Sequence, residues 1–169
     1  MKLLKLINLE NTSEQEVNAF SIREAARGIV FDSENMIALL YSKKFNYYKL
    51  PGGGVEEGED YETALKRECQ EEIGCDVEVL NELGIIIEYR KKYNLKQTSH
   101  CYTAKVIGEK GISTLTESER EEEFETVWVP LKEAIQKVKN ISNPSVYEVP
   151  YMVTRDTTFL EVCYEKNIL

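Results

Sequence analysis

The chain predicts a mixed α/β fold, in which helices pack on a sheet of mixed strand direction. Three observations predict it. Short β-rich runs alternate with stretches of helical period. The elements run strands, helix, strands, helices along the chain. The 169 residues, 42% of them apolar, suit one ordinary core.

Taken in order, residues 1–22 read as an adaptor segment, a pairing or dimer arm, ahead of a domain spanning 23–169. The run Met1 to Ile7 begins like a signal peptide, but Lys5 and Asn8 interrupt it and no small-residue cleavage site follows. Arg27 to Asp32 reads as a strand, Asp32 to Asn35 as a turn, and Met36 to Tyr41 as a second apolar strand. Tyr47 to Leu50 is a short strand ending at Pro51, followed by Gly52-Gly53-Gly54. Asp60 to Ile73 reads as a helix, with Asp60 able to cap its start and Gly74 to stop it. Val77 to Tyr89 and Thr98 to Ile107 are β-rich runs joined by a charged connection containing Asn94. Glu125 to Val129 is a strand before Pro130, and Leu131 to Lys139 has helical period. The chain turns after Asn143-Pro144, and 151–166 reads as a last helix that Pro150 suits as an entry.

Composition narrows the function. A formal net charge of −9 disfavours nucleic-acid polymers and anionic membranes. Lys43-Lys44 and Arg90-Lys91-Lys92 are too short to form a basic patch and are expected on solvated loops or strand ends. No stretch approaches the roughly 20 apolar residues of a membrane span. Cys69, Cys75, Cys101 and Cys163 form no C-x-x-C pair, and with His100 as the one histidine a zinc site lacks ligands. A reduced, cytoplasmic protein is expected.

The helix after the glycines is the informative stretch. At about 100° per residue, Tyr61, Ala64, Leu65, Cys69 and Ile73 mark its core face. Glu68 and Glu72 fall inside this apolar sector and are stacked four apart, with Glu71 beside them. Like charges so placed cost a few tenths of a kcal/mol when exposed, and roughly several kcal/mol each when buried without a partner. Arg67 alone does not balance three carboxylates, whereas a hard divalent cation does, and a carboxylate-rich, histidine-poor set suits Mg²⁺ or Mn²⁺. The plainer alternative is an exposed acidic helix that serves solubility.

The 23 residues from Gly53 to Cys75 decide between these. Gly53, Glu59, Arg67, Glu68, Glu71, Glu72 and Gly74 stand at the spacing of the Nudix box, and the chain resembles the Nudix hydrolase superfamily. Cys69 and Cys75 depart from it, since the family usually has aliphatic residues there. Weaker resemblance continues in Arg23 to Val30, in Lys49-Leu50-Pro51 and in Trp128-Val129-Pro130.

The resemblance implies a Nudix-like α/β/α sandwich with a mixed central sheet. It implies Mg²⁺ or Mn²⁺ held by Glu68, Glu71 and Glu72, with the Gly53 carbonyl as a further ligand. Glu59 and Arg67 correspond to the pair that supports the site. A further glutamate is expected from a loop at 117–123, where Glu119 and Glu122 rank first and Glu122 is taken as the ligand. The implied activity is hydrolysis of the diphosphate linkage in a small nucleotide-like substrate, by water activated on the metal with Glu68, Glu71 and Glu72 as the catalytic carboxylates. Arg23, Arg27 and Tyr48 are the expected substrate contacts, with Tyr47 beside them, although surface ion pairs and sheet packing are plainer readings of each. His100 reads as a hydrogen-bonded structural residue. Arg155 and Asp156 are expected to pair with other side chains or to close the cleft. A homodimer is common in similar proteins. The competing functions are a silent Nudix-fold ligand sensor and a diphosphate-ester isomerase, which would want a cysteine in the cleft.

Overall fold

The sheet is organised by β2 (Ser21–Phe31), which lies beside β6 (Leu95–Ile107) in parallel over its whole length, from Ser21 opposite Leu95 to Phe31 opposite Lys105. This computed structural model describes residues 1–140 and 146–168. From Ala25 to Phe31 every residue of β2 is buried, so the strand is covered on both faces. Beyond β6 lie β5 (Asp76–Arg90), antiparallel to it, and β1 (Leu3–Ile7), parallel to β5. On the other side come β3 (Ile37–Ser42) and β4 (Tyr47–Lys49), with β7 (Phe124–Val129) also paired to β3. Among the described residues these make one seven-stranded mixed sheet.

Both faces are covered. Helix α2 (Tyr61–Ile73) lays Ala64, Leu65, Cys69 and Ile73 on Ala26, Val30, Ala38 and Leu40. Asp60 caps its start by accepting from the Thr63 N–H at 2.7 Å, and Gly74 ends it in the left-handed conformation. The opposite face carries α4 (Leu131–Lys139) and α5 (Val149–Glu165), which bury Ala134, Ile135, Val138, Phe159 and Leu160 against Ile29, Phe31, Ile37 and Leu39. The result is the expected α/β/α sandwich. Two pieces are short: α1 (Glu14–Val17), with a capping box between Ser13 and Glu16, and α3 (Glu117–Glu121).

Four expectations are adjusted. The first strand of the box-bearing half begins at Ser21 rather than Arg27, because its polar start also pairs with β6. Residues 3–7, read only as part of an adaptor, form a strand hydrogen-bonded to β5. The acidic loop at 117–123 contains the helical turn α3. Arg90, expected on a solvated strand end, is buried at 7% exposure. The expected turn after Asn143-Pro144 lies outside the described residues. Among the described residues, no helix is long and apolar enough to cross a membrane.

One feature of the sheet positions the site. β2 and β3 are antiparallel neighbours, yet they are paired only at Phe31 opposite Ile37, so the two strands splay apart. Residues 51–55 enter the gap. The Gly28 N–H donates to the Pro51 carbonyl, the Ala26 N–H to that of Gly53, and the Val55 N–H to that of Glu24, each at 3.0 Å. Gly52 adopts φ +129°, and a Cβ there would sit 2.2 Å from the Ala26 carbonyl oxygen, so another residue would both strain and clash.

Candidate active site

The splay opens into a cavity of about 510 Å³. One wall is carboxylate. Glu68, Glu71 and Glu72 come from α2, and Glu119 and Glu122 from the α3 segment. The acidic side chains that the helical wheel set in the apolar sector are turned into the edge of this cavity.

Glu72 is the most deeply placed, at 2% exposure. Lys49 Nζ donates to its Oε1 at 2.9 Å and the Gly52 N–H to its Oε2 at 2.5 Å. Burial nevertheless pushes its carboxyl up to about 7, against the pull of Lys49 and the Gly52 N–H, and the Glu68 charge adds to the rise. Glu119 shares a hydrogen bond with Glu72. Burial tends to raise Glu119 too, but hydrogen bonds from the Thr116 side chain and N–H, with Lys49 3.9 Å away, hold it below the usual carboxylate range. Glu122 accepts from the Tyr47 hydroxyl at 2.7 Å.

Arg67 ties the box together. Its Nε and Nη2 donate to the two Glu59 oxygens at 2.8 and 3.0 Å, Nη2 also reaches the Gly54 carbonyl at 2.9 Å, and Nη1 donates to Glu68 at 2.9 Å and Glu71 at 3.3 Å. A forked pair of this kind fixes both distance and plane. The loop carrying Glu59 and the helix carrying Glu68 are thereby held in one register. Gly53 completes the packing, since a Cβ there would lie 2.2 Å from Glu68 Oε1. Its carbonyl accepts from the Ala26 N–H, which leaves one lone pair unused.

The donors on this wall are oxygen atoms only, which is the chemistry a hard divalent ion takes. The missing Cβ of Gly53 gives the Glu68 carboxylate the space to lie against the main chain. As placed, the carboxylates are engaged by Arg67 and Lys49, and among the described residues no three of them converge on one centre. Donor type and burial therefore fit a divalent cation, with Lys49 and Arg67 offsetting part of the carboxylate charge in this arrangement.

The lining is also cationic: Arg23, Arg27, Arg90 and Arg155 line the same cavity. Arg23 and Arg27 were candidates from sequence. Arg90 reads from sequence as part of a charged run, and Arg155, expected to pair or to close the cleft, pairs with Asp156 and lines the cavity. The spacing of Glu88 and Arg90, two apart on one strand face inside an otherwise apolar run, was the available signal. Tyr48 is not part of the lining. Strand alternation sends Tyr47 and Lys49 toward the cavity, while Tyr48 stacks on Tyr41 with ring centroids 4.5 Å apart. His100 lies away from the site, stacked on Tyr61 at 3.7 Å and bonded to Glu24 at 2.8 Å. All four cysteines are free and buried, and none lines the cavity. Cys69 and Cys75 sit in the core under α2, where a small apolar side chain is all the packing requires.

Comparison with known proteins agrees with this geometry. The NUDIX domain family model matches residues 21–149. The chain belongs to the Nudix family. Among curated relatives, it is 34% identical over 86 residues to the RNA pyrophosphohydrolase of Pelagibacter ubique (strain HTCC1062), covering 49% of this chain and 54% of that protein. It is 41% identical over 56 residues to the 8-oxo-dGTP diphosphatase of Proteus vulgaris, covering 31% of this chain and 50% of that one. The chain thus spans about half the length of these relatives. In fold it resembles the solution structure of the E. coli ORF135 protein, with a TM-score of 0.60 and 19% identity over 89% of this chain and 94% of that one.

Proposed function

We propose that the protein is a divalent-metal-dependent Nudix pyrophosphohydrolase that cleaves a diphosphate linkage in a nucleotide-like substrate. The observation that carries the reading is Glu72. A carboxylate buried at 2% exposure and held near neutrality by its burial is an unfavourable thing for a fold to keep unless it serves chemistry. Its neighbours Glu68, Glu71 and Glu119 on the same wall support it, as do two relatives whose names describe pyrophosphate chemistry.

In this reading Glu68, Glu71 and Glu72 would hold Mg²⁺ or Mn²⁺, and the Gly53 carbonyl has a lone pair to offer. The ion's contribution is to neutralise the diphosphate and to lower the pKa of water. The chain does the rest. Arg67 keeps Glu59, Gly54 and Glu68 in register. Glu119 is ionised at neutral pH and stands beside Glu72, so it accepts the proton of the attacking water at a carboxylate oxygen. Glu122 is anchored on the Tyr47 hydroxyl, which makes Glu119 the better candidate of the two. The arginine wall takes the negative charge of the substrate.

The isomerase alternative draws no support, because it wants a thiol in the cleft and the lining has none. The sensor alternative predicts binding without turnover. The test is product analysis on a panel with Mg²⁺ or Mn²⁺: nucleoside triphosphates including 8-oxo-dGTP, ADP-ribose, and 5′-triphosphorylated RNA, which the first relative's name brings onto the panel. Cleavage of a phosphoanhydride that is lost in Glu72→Gln and Glu119→Gln supports the reading. Tight binding of a panel member with no turnover in either metal overturns it in favour of the sensor.

A further inference from the structure

The arginine wall has more positive charge than its own buried partners balance. Arg27, Arg90 and Arg155 are buried and Arg23 is exposed, against two acids bonded among them, Glu88 and Asp156, with Glu72 and Glu68 acting on Arg27 and Arg23 from the carboxylate side. With one exception these groups form one connected network. Arg23 Nη1 donates to Gln97 Oε1 at 3.1 Å, and Gln97 Nε2 donates to Glu88 at 2.7 Å. Glu88 also accepts from Arg90 at 3.1 Å and pairs with Arg155 at 3.6 Å. Arg155 in turn grips Asp156 through Nε and Nη2 at 2.6 and 3.1 Å, and Asp156 accepts the Leu50 N–H at 3.0 Å.

Arg27 is the exception. Its one hydrogen bond among the described residues runs from Nη1 to the Ala26 carbonyl at 3.0 Å. Its Nε, like that of Arg90, is buried without a partner among the described residues. Two guanidiniums more than nine-tenths buried, each with an unsatisfied N–H and both lining a cavity, are costly unless an acceptor arrives. The acceptor is an anion, since guanidinium is donor-only and shaped for a fork of oxygens. Within this group four guanidiniums meet two bonded carboxylates, so the local charge suits a phosphate group.

We infer that Arg23, Arg27, Arg90 and Arg155 form an anion subsite for a terminal phosphate that the substrate carries in addition to its scissile diphosphate. This rests on the pyrophosphohydrolase reading for the scissile group, but the subsite itself needs no metal. Two sources supply such a phosphate: the end of a linear triphosphate, or a monoester on the ribose of a diphosphate-linked compound. Either way the site prefers substrates bearing a terminal phosphate over those, like ADP-ribose, that have only an internal diphosphate.

The test has two arms. In chelator, inorganic tripolyphosphate and inorganic phosphate are titrated calorimetrically into wild-type protein and into Arg27→Gln and Arg90→Gln, with thermal melts as the check on folding. Tripolyphosphate should bind wild type, and each variant should bind it at least tenfold more weakly. In magnesium, kcat/KM is compared for ATP, ADP-ribose and ADP-ribose 2′-phosphate. The ratio of ATP, or of the 2′-phosphate compound, to ADP-ribose should exceed ten in wild type and collapse toward one in the variants, and the preferred compound identifies the source. Arg90→Lys, which keeps the charge and loses the fork, should fall between. Tripolyphosphate binding without hydrolysis of anything upholds the subsite and overturns the hydrolase reading instead. No tripolyphosphate binding by wild type overturns the subsite, as does an equal loss on all three substrates in correctly folded variants.

Discussion

Replacing Glu72 by glutamine separates a side chain kept for chemistry from one kept for stability. Lifting a carboxyl from 4.5 to about 7 corresponds to about 3 kcal/mol of penalty on its ionised form inside the fold. The native value lies above the unfolded one, so the native state binds the proton more tightly. This group's contribution to stability is therefore fully present below about pH 4.5 and is lost as pH rises through about 7. At pH 8 in chelator the wild-type protein carries the whole penalty. Glutamine removes the charge, can still accept the Gly52 N–H, and leaves Lys49 with Glu119 at 3.9 Å as a weaker partner. The net gain is about 1–3 kcal/mol, or roughly 3–8 °C in melting temperature for a chain of this size. The assay is thermal denaturation followed by circular dichroism in chelator at pH 5 and pH 8. Glu72→Gln should melt above wild type at pH 8 and alongside it at pH 5, and magnesium should raise wild type only. A variant that melts several degrees below wild type at both pH values would refute the reasoning and make Glu72 a structural partner of Lys49.

Gly53→Ala should leave melting within about 2 °C, because the clash is with the far end of a side chain, yet cut kcat at least tenfold by moving Glu68; steady-state kinetics beside a melt checks both. Arg67→Ala removes the Glu59 fork and the Gly54 contact and should cost about 2 kcal/mol in urea unfolding, with activity lost as the loop and helix lose register. Asp156→Asn leaves Arg155 buried without its closest counter-charge and should cost about 3–5 kcal/mol, much of it recovered in the double variant with Arg155→Met. Glu119→Gln should lower kcat far more than Glu122→Gln and shift the acid limb of the pH–rate profile, which would establish which acid of the α3 segment serves the reaction.

Much of the architecture was legible because local signals agreed with one another. Asp60 and Gly74 bracket α2 in sequence as they do in space, and the period of Ala64, Leu65, Cys69 and Ile73 names the face that packs. The carboxylate wall was legible for the same reason: four-residue spacing on a helix is a local property. The arginine wall was not. Arg90 and Arg155 come from a strand end and from the last helix, and nothing local shows that α5 packs across β5 to join them. Arg90 in particular looks solvated beside Lys91 and Lys92, which are exposed, and only the partner two residues earlier, Glu88, hints otherwise. Leu3–Ile7 carries little local strand signal, because its partner lies some eighty residues away and most of its side chains face water. Strand parity counted from Lys49 favours Tyr47 over Tyr48 as the cavity-facing ring, and the structure follows that parity.

The family match closes at residue 149, where α5 is only beginning. A fragment trimmed to that outline would keep every glutamate of the box and still discard Arg155, together with Asp156, the acceptor that secures Leu50 just ahead of the glycines. Conserving the motif is thus not the same as conserving the pocket, and any minimal version of this protein has to be cut by contacts rather than by resemblance.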